Sequence, residues 1–248
     1  MDQEQKSNLK SDLESMGFSI LPAIVSEALI SQIISELEHP IEQGVSIRKQ
    51  GQNTYAMRNL LCVPCVQDFS KSATVRSVVE PILGRMAIAV RGLLFDKTPN
   101  ANWNVAWHQD LCIAVRQRAE VPGFGPWSLK AGIQHVQAPV SVLEEMLTLR
   151  LHLDDCSEEN GPLQVLPASH RSGKLTTRQI AEWRSHVQPA VCCVPRGGVL
   201  VMHPLLLHSS SAARTPGHRR VIHLEFAAGD LPAGLEWFSN ESFTEARA

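Results

Sequence analysis

Trp107-His108-Gln109-Asp110 sets an imidazole and a carboxylate two residues apart. On an extended strand, residues i and i+2 point to the same face, so both groups can reach one point. Together they supply two members of a 2-His-1-carboxylate facial triad. Such a triad covers one face of an octahedral metal and leaves the opposite face open. A bidentate 2-oxo acid and dioxygen can fill that open face, which is what a non-haem iron(II) oxygenase needs. A closed, four-ligand zinc site has no such room. The tripeptide is weak alone and gains meaning only if a third ligand follows on a later strand.

The third ligand must come from the remaining histidines of the ten in the chain. The segment GGVLVMHPLLLHSSS, residues 197–211, holds His203 and His208. His208 is the better choice. His203, at an odd offset, falls on the other strand face, where a packed histidine is expected. Further on, Arg219 opens the run RRVIHLEF. A guanidinium fork matches a carboxylate bidentately and stays charged when buried, as the distal carboxylate of an oxo-diacid requires. Arg220 is the neighbour that could be confused with it. Ser210, two residues past His208, could add a hydrogen bond to the same carboxylate.

Taken in order, WHQD, LDDCSEENGPLQVLPASH, GGVLVMHPLLLHSSS and the Arg219 strand resemble the phytanoyl-CoA dioxygenase family, a branch of the Fe(II)/2-oxoglutarate oxygenases. The likeness runs over about residues 85–227, and more weakly into the N-terminal helices. It implies a double-stranded β-helix, with His108, Asp110 and His208 as iron ligands. It implies Arg219 as the 2-oxoglutarate arginine, Ser210 beside the same carboxylate, and Gln109 in the HxD gap, near the substrate. It also implies iron(II), 2-oxoglutarate and O2 as cofactor and cosubstrates, with succinate and CO2 released as an aliphatic C–H of a small molecule is hydroxylated. Asp110 favours hydroxylation over halogenation, which needs a small residue at that position. The chain departs from the pattern at Ser209, at Gly197-Gly198 and at Arg150, where the mammalian members carry tryptophan. An inward Arg150 makes a more polar pocket than a fatty acyl-CoA calls for, and could bind the cosubstrate's other carboxylate or an anionic group of the substrate.

The elements that must position these residues can be read from periodicity. Leu147-Thr-Leu-Arg-Leu-His-Leu153 alternates strictly, with leucines on one face and Thr148, Arg150 and His152 on the other. The polar face meets either solvent or a polar barrel interior. Strands are expected at 18–21, 86–96, 163–166, 190–194, 198–203 and 220–227, with an extended stretch over 103–115. Ser11-Asp-Leu-Glu14 reads as a capping box at a helix start, and Thr176-Thr-Arg-Gln179 as a second one. Helices are expected over 26–39, 72–79, about 141–146 and to about 187. Residues 44–70 read as loop with short strands. Residues 117–140 read as a long irregular segment, hence a lid. His135 and Trp127 within it are taken as surface residues, and His152, His170 and His223 as structural. The whole suggests one mainly β domain with flanking helices, a cupin-like jelly roll: a helical part over about 1–85 and a β core over about 86–228.

Composition narrows the partners. Hydrophobic residues make up 44% of 248, enough for a sizeable core. A formal charge of -2 gives no reason to expect nucleic acid or an anionic membrane as partner. The polar start, MDQEQKSNLKSDLE, has no signal-peptide core, so the cytoplasm is expected. Of six cysteines only Cys62 and Cys65 have CxxC spacing, and reduced, partly buried thiols are the simpler reading. Two alternatives to the oxygenase stay open: a cupin-like enzyme using another metal without O2, and a non-catalytic jelly-roll binding protein.

Overall fold

The computed structural model describes residues 2–38 and 44–238. The chain begins with α1 (Gln3–Met16), β1 (Phe18–Leu21) and α2 (Glu27–Glu38), then β2 (Ser46–Gln50), β3 (Asn53–Arg58), α3 (Pro64–Lys71) and α4 (Ala73–Leu83). There follow β4 (Ile88–Lys97), β5 (Val105–His108), β6 (Cys112–Val115), β7 (Trp127–Lys130), β8 (Ile133–Gln137), α5 (Val140–Leu143) and β9 (Met146–His152). Last come β10 (Leu163–Val165), α6 (Thr177–His186), β11 (Ala190–Cys192), β12 (Val199–Met202), β13 (His208–Ser210) and β14 (Arg219–Ala227).

The strands form a seven-stranded sheet in the order β1-β12-β9-β14-β4-β3-β2, a four-stranded sheet β11-β10-β13-β5, and a three-stranded sheet β6-β8-β7. This is the expected jelly roll with flanking helices, though the sheets do not close into a barrel. The alternation in β9 sets the layering. Leu147, Leu149, Leu151 and Leu153 are fully buried in a core shared with α1 to α4. Burying each leucine contributes about 2 kcal/mol. The opposite face of β9 turns Thr148, Arg150 and His152 inward, where all three are buried. The polar face therefore lines an interior rather than solvent.

Several expectations need correcting. The first capping box is not at Ser11, which lies inside α1. Asp2 caps the helix and exchanges hydrogen bonds with Gln5. Leu9 and Leu13, one turn apart, anchor this longer helix. The end of the expected 26–39 helix lies outside the described residues. The stretch 44–70 contains α3, whose Pro64 in the first turn was its signal. The strand expected over 18–21 is β1, at one edge of the large sheet, and the short strands expected within 44–70 are β2 and β3, at the other. The 117–140 segment is irregular only in its first part, up to residue 126. It holds the β7–β8 hairpin, which pairs with β6. The six cysteines are all unpaired.

Candidate active site

Strands β5 and β13 pair antiparallel with His208 directly opposite His108, and their ring centroids are 4.2 Å apart. Asp110 lies just past the end of β5, in the three-residue connection to β6, so it joins the histidines from beside the strand and not from within it as expected. Its backbone N–H donates to the Pro204 carbonyl at 2.9 Å, which fixes that connection. His108 Nε2 is 3.7 Å from Asp110 Oδ1, and His208 Nε2 is 3.5 Å from Oδ2. These gaps are too long for good hydrogen bonds. Ligand atoms of the three residues nevertheless lie within 4.8 Å of one another.

The remaining ring nitrogens fix the tautomer. His108 Nδ1 is 2.8 Å from the Ala106 carbonyl, and His208 Nδ1 is 2.9 Å from the Leu206 carbonyl. A carbonyl only accepts, so each Nδ1 carries the proton and each Nε2 presents a lone pair to Asp110. Burial pushes the His208 imidazole down to about 4, outweighing the pull of Asp110, and keeps it neutral at pH 7. Burial alone would raise the Asp110 carboxyl, but His208, His223 and His108 hold it well below the usual carboxylate range. Asp110 Oδ2 is buried with no hydrogen-bond partner. An anionic oxygen and two imidazole lone pairs that face one point without an acceptor fit a divalent cation of the iron type.

A cavity of about 210 Å³ opens from this triad between the two main sheets. At its closed end are Arg219 from β14, Arg150 from β9, Lys97 from β4 and Ser210 from β13. Lys97, 1% exposed, donates to Ser210 Oγ at 2.7 Å and to the Ser211 carbonyl. Ser210 in turn donates to the Gly161 carbonyl at 3.1 Å. Its hydroxyl therefore holds Lys97 in place, beyond the carboxylate role expected of it. Arg219 is 3% exposed and its Nε has no partner; the Nε of Arg150 is likewise unpartnered. Among the described residues none of these cations has a carboxylate partner, and buried cations without a counter-ion are costly, so this end suits an anion. Arg220 points elsewhere and grips Asp154 through Nε and Nη2 at 2.9 and 2.7 Å.

Arg150 Nη1 is 2.8 Å from His223 Nδ1, and His223 Nε2 is 3.2 Å from Glu225. Glu225 also accepts from Arg91 at 2.9 Å. His223 is thus a wall of the cavity, against the expectation of a purely structural role. His203 does pack away from the site, stacked on His170 at 5.1 Å. His135 is buried, not a surface residue. The sequence reading missed Lys97, Arg91, His223, Glu225, Arg58 and Lys130. The signal was parity: positions 91, 93, 95 and 97 of β4 and 219, 223 and 225 of β14 all line the cavity.

Gln109 is corrected too. Its Nε2 donates to the Gly173 and Leu205 carbonyls, each at 2.7 Å, and its Oε1 accepts from the Leu175 N–H at 2.8 Å. The side chain between the two inward residues is thus turned away from the cavity and pins loops. Gln109→Ala is expected to cost about 3 kcal/mol, because it strands buried backbone groups. The denaturant midpoint should fall with an unchanged slope, and an unshifted midpoint would mean water replaces the amide.

The phytanoyl-CoA dioxygenase (PhyH) family profile matches residues 13–221. The chain belongs to this family. It is 25% identical over 254 residues to the peroxisomal phytanoyl-CoA dioxygenase of Rattus norvegicus, covering 88% of this chain and 67% of that one. Its fold resembles the epimerase SnoN from nogalamycin biosynthesis, solved with Fe3+, alpha ketoglutarate and nogalamycin RO, at a TM-score of 0.68 and 15% identity, covering 94% of this chain and 92% of that one. It also resembles EctD from S. alaskensis with 2-oxoglutarate and 5-hydroxyectoine, at a TM-score of 0.66 and 17% identity, covering 92% and 76%. The family is one of iron- and 2-oxoglutarate-dependent oxygenases, and the donor set described above agrees with that chemistry. No helix among the described residues is long and apolar enough to cross a membrane.

Proposed function

We propose that this chain is a single-domain Fe(II)- and 2-oxoglutarate-dependent dioxygenase that hydroxylates an aliphatic C–H of a small molecule. The observation that carries the reading is the orphaned Asp110 oxygen facing two imidazole Nε2 atoms, beside a closed end whose cations have no carboxylate partner among the described residues. Bound together with O2, iron and 2-oxoglutarate would supply the oxidising power, the cosubstrate leaving as succinate and CO2. His108, Asp110 and His208 hold the metal, and the Ala106 and Leu206 carbonyls keep their lone pairs aimed. Arg219 and Lys97 hold the C5 carboxylate of 2-oxoglutarate, and Arg150 adds charge at the same end. Leu93, Phe95, Val105 and Leu163 give the cavity apolar walls that limit water around the reacting groups. A cupin-like reaction without an oxo-acid would leave this cationic end without a use. A solved neighbour is an epimerase, so the fate of the substrate C–H is the finer part of the proposal. The unpaired cysteines fit a reducing compartment such as the cytoplasm.

The test is an anaerobic titration with iron(II) and then 2-oxoglutarate, read by the visible charge-transfer band of the chelate. Absence of both iron binding and the band would sink the oxygenase reading. The pH profile adds a check. Burial, with Arg219 beside it, pushes the Lys97 ammonium down to about 7. An anion beside Lys97 favours its protonated form. 2-Oxoglutarate therefore binds best below pH 7, and weakens by up to about tenfold per unit as the proton is lost above it. Lys97→Met should flatten the profile.

A further inference from the structure

The cavity walls carry Arg58, Arg91, Lys97, Lys130, Arg150 and Arg219 against only Asp110 and Glu225. A divalent metal and a dianionic cosubstrate cancel one another and leave this excess untouched. Lys97, Arg150 and Arg219 sit at the closed end. Arg91 is linked to them through Glu225, His223 and Arg150, whereas Arg58 and Lys130 take no part in that network among the described residues; the placement of Arg58 and Arg91 follows from register. Arg58 on β3 pairs with Leu93 on β4, so Arg91, two residues along β4, is its diagonal neighbour on the same face. Glu225 on β14 lies directly opposite Arg91 and is shared with His223. Arg91 Nη1 takes both Glu225 and the Cys112 carbonyl, while its Nε and Nη2 have no partner among the described residues. Arg58 is partly buried, its side chain has no ion pair or hydrogen bond among the described residues, and its charge is opposed by Arg91 and Arg48. Lys130 reaches the same cavity from the end of β7, also unpaired among the described residues. Two half-buried, unpaired cations beside a pinned arginine gain most from a shared anion.

We propose that Arg58, Arg91 and Lys130 form a recognition site for an oxyanion group, carboxylate or phosphate, on the organic substrate. This rests on the oxygenase reading and names its substrate class: an anionic small molecule whose charged end docks on these residues while an aliphatic carbon reaches the metal. A guanidinium fork serves either oxyanion bidentately.

The test uses anaerobic protein loaded with iron(II) and saturating 2-oxoglutarate, titrated calorimetrically with inorganic phosphate and, separately, with benzoate. One or both probes should bind alongside 2-oxoglutarate, and the stronger of the two indicates the head group. Arg58→Gln should weaken that binding about tenfold with 2-oxoglutarate affinity unchanged. Lys130→Gln, on the hairpin, should act the same way and guards against misfolding of the first variant. Probes that compete with 2-oxoglutarate, that bind both variants as well as wild type, or that fail to bind a protein holding 2-oxoglutarate would overturn the site alone. A wild-type protein that binds no 2-oxoglutarate would overturn the oxygenase reading itself.

Discussion

Asp110→Ala weakens iron(II) binding by more than about a hundredfold on the proposed reading, since even partners one shell out from a metal contribute about 10–100-fold. The same variant should fold normally. The Asp110 side chain accepts no hydrogen bond within good distance, and Oδ2 is an orphan, so truncation removes a metal ligand and little else. Thermal melts with and without iron(II) separate the two effects. Wild type should gain stability on adding metal, as any ligand of the native state confers it, and the variant should not. A variant that binds iron(II) as tightly as wild type would place the metal elsewhere.

Arg219→Met is expected to leave iron(II) binding intact and to raise the 2-oxoglutarate dissociation constant by about a hundredfold. Two charge-assisted hydrogen bonds of about 1.5 kcal/mol each account for that factor. Lys97 remains at the same end, so binding is weakened rather than abolished. Arg219→Lys should recover little, because a point charge does not reproduce the fork. Without cosubstrate, Arg219→Met should be no less stable than wild type, since it removes a buried guanidinium whose Nε has no partner. The chelate band titrated against 2-oxoglutarate measures the effect. An unchanged midpoint would remove Arg219 from the cosubstrate site.

The parts of this site that were legible in the sequence are those set by short-range rules. Strict alternation in 147–153 separated a leucine face from Thr148, Arg150 and His152, and the structure buries both faces. What alternation could not decide is whether the polar face met water or a cavity, because that depends on a second sheet formed by distant strands. Lys97 and Arg91 share one parity on β4, but only the pairing of β4 with β14 and β3 brings them against Arg219, Glu225 and Arg58. The β7–β8 hairpin was hidden by its turn. Ala131 and Gly132 take φ of 55° and 78°, the geometry of a type I′ turn that asparagine-glycine usually announces. Asp110 was assigned to a strand face because nothing local shows that β5 stops at His108.

The Lys97–Ser210 hydrogen bond joins the seven-stranded sheet to the four-stranded one at the closed end of the cavity. It acts as a strut that fixes the gap between the sheets where metal and cosubstrate would sit. Arg58 and Lys130 stand apart from this strut, on β3 and on the separate three-stranded sheet. Neither side chain bonds to Lys97 or Ser210, so substitutions there change the cavity lining and leave the strut's own hydrogen bond in place. On the proposed reading, substrate scope and oxidative chemistry would therefore rest on different residues of this scaffold, so relatives sharing one reaction centre could come to accept different molecules.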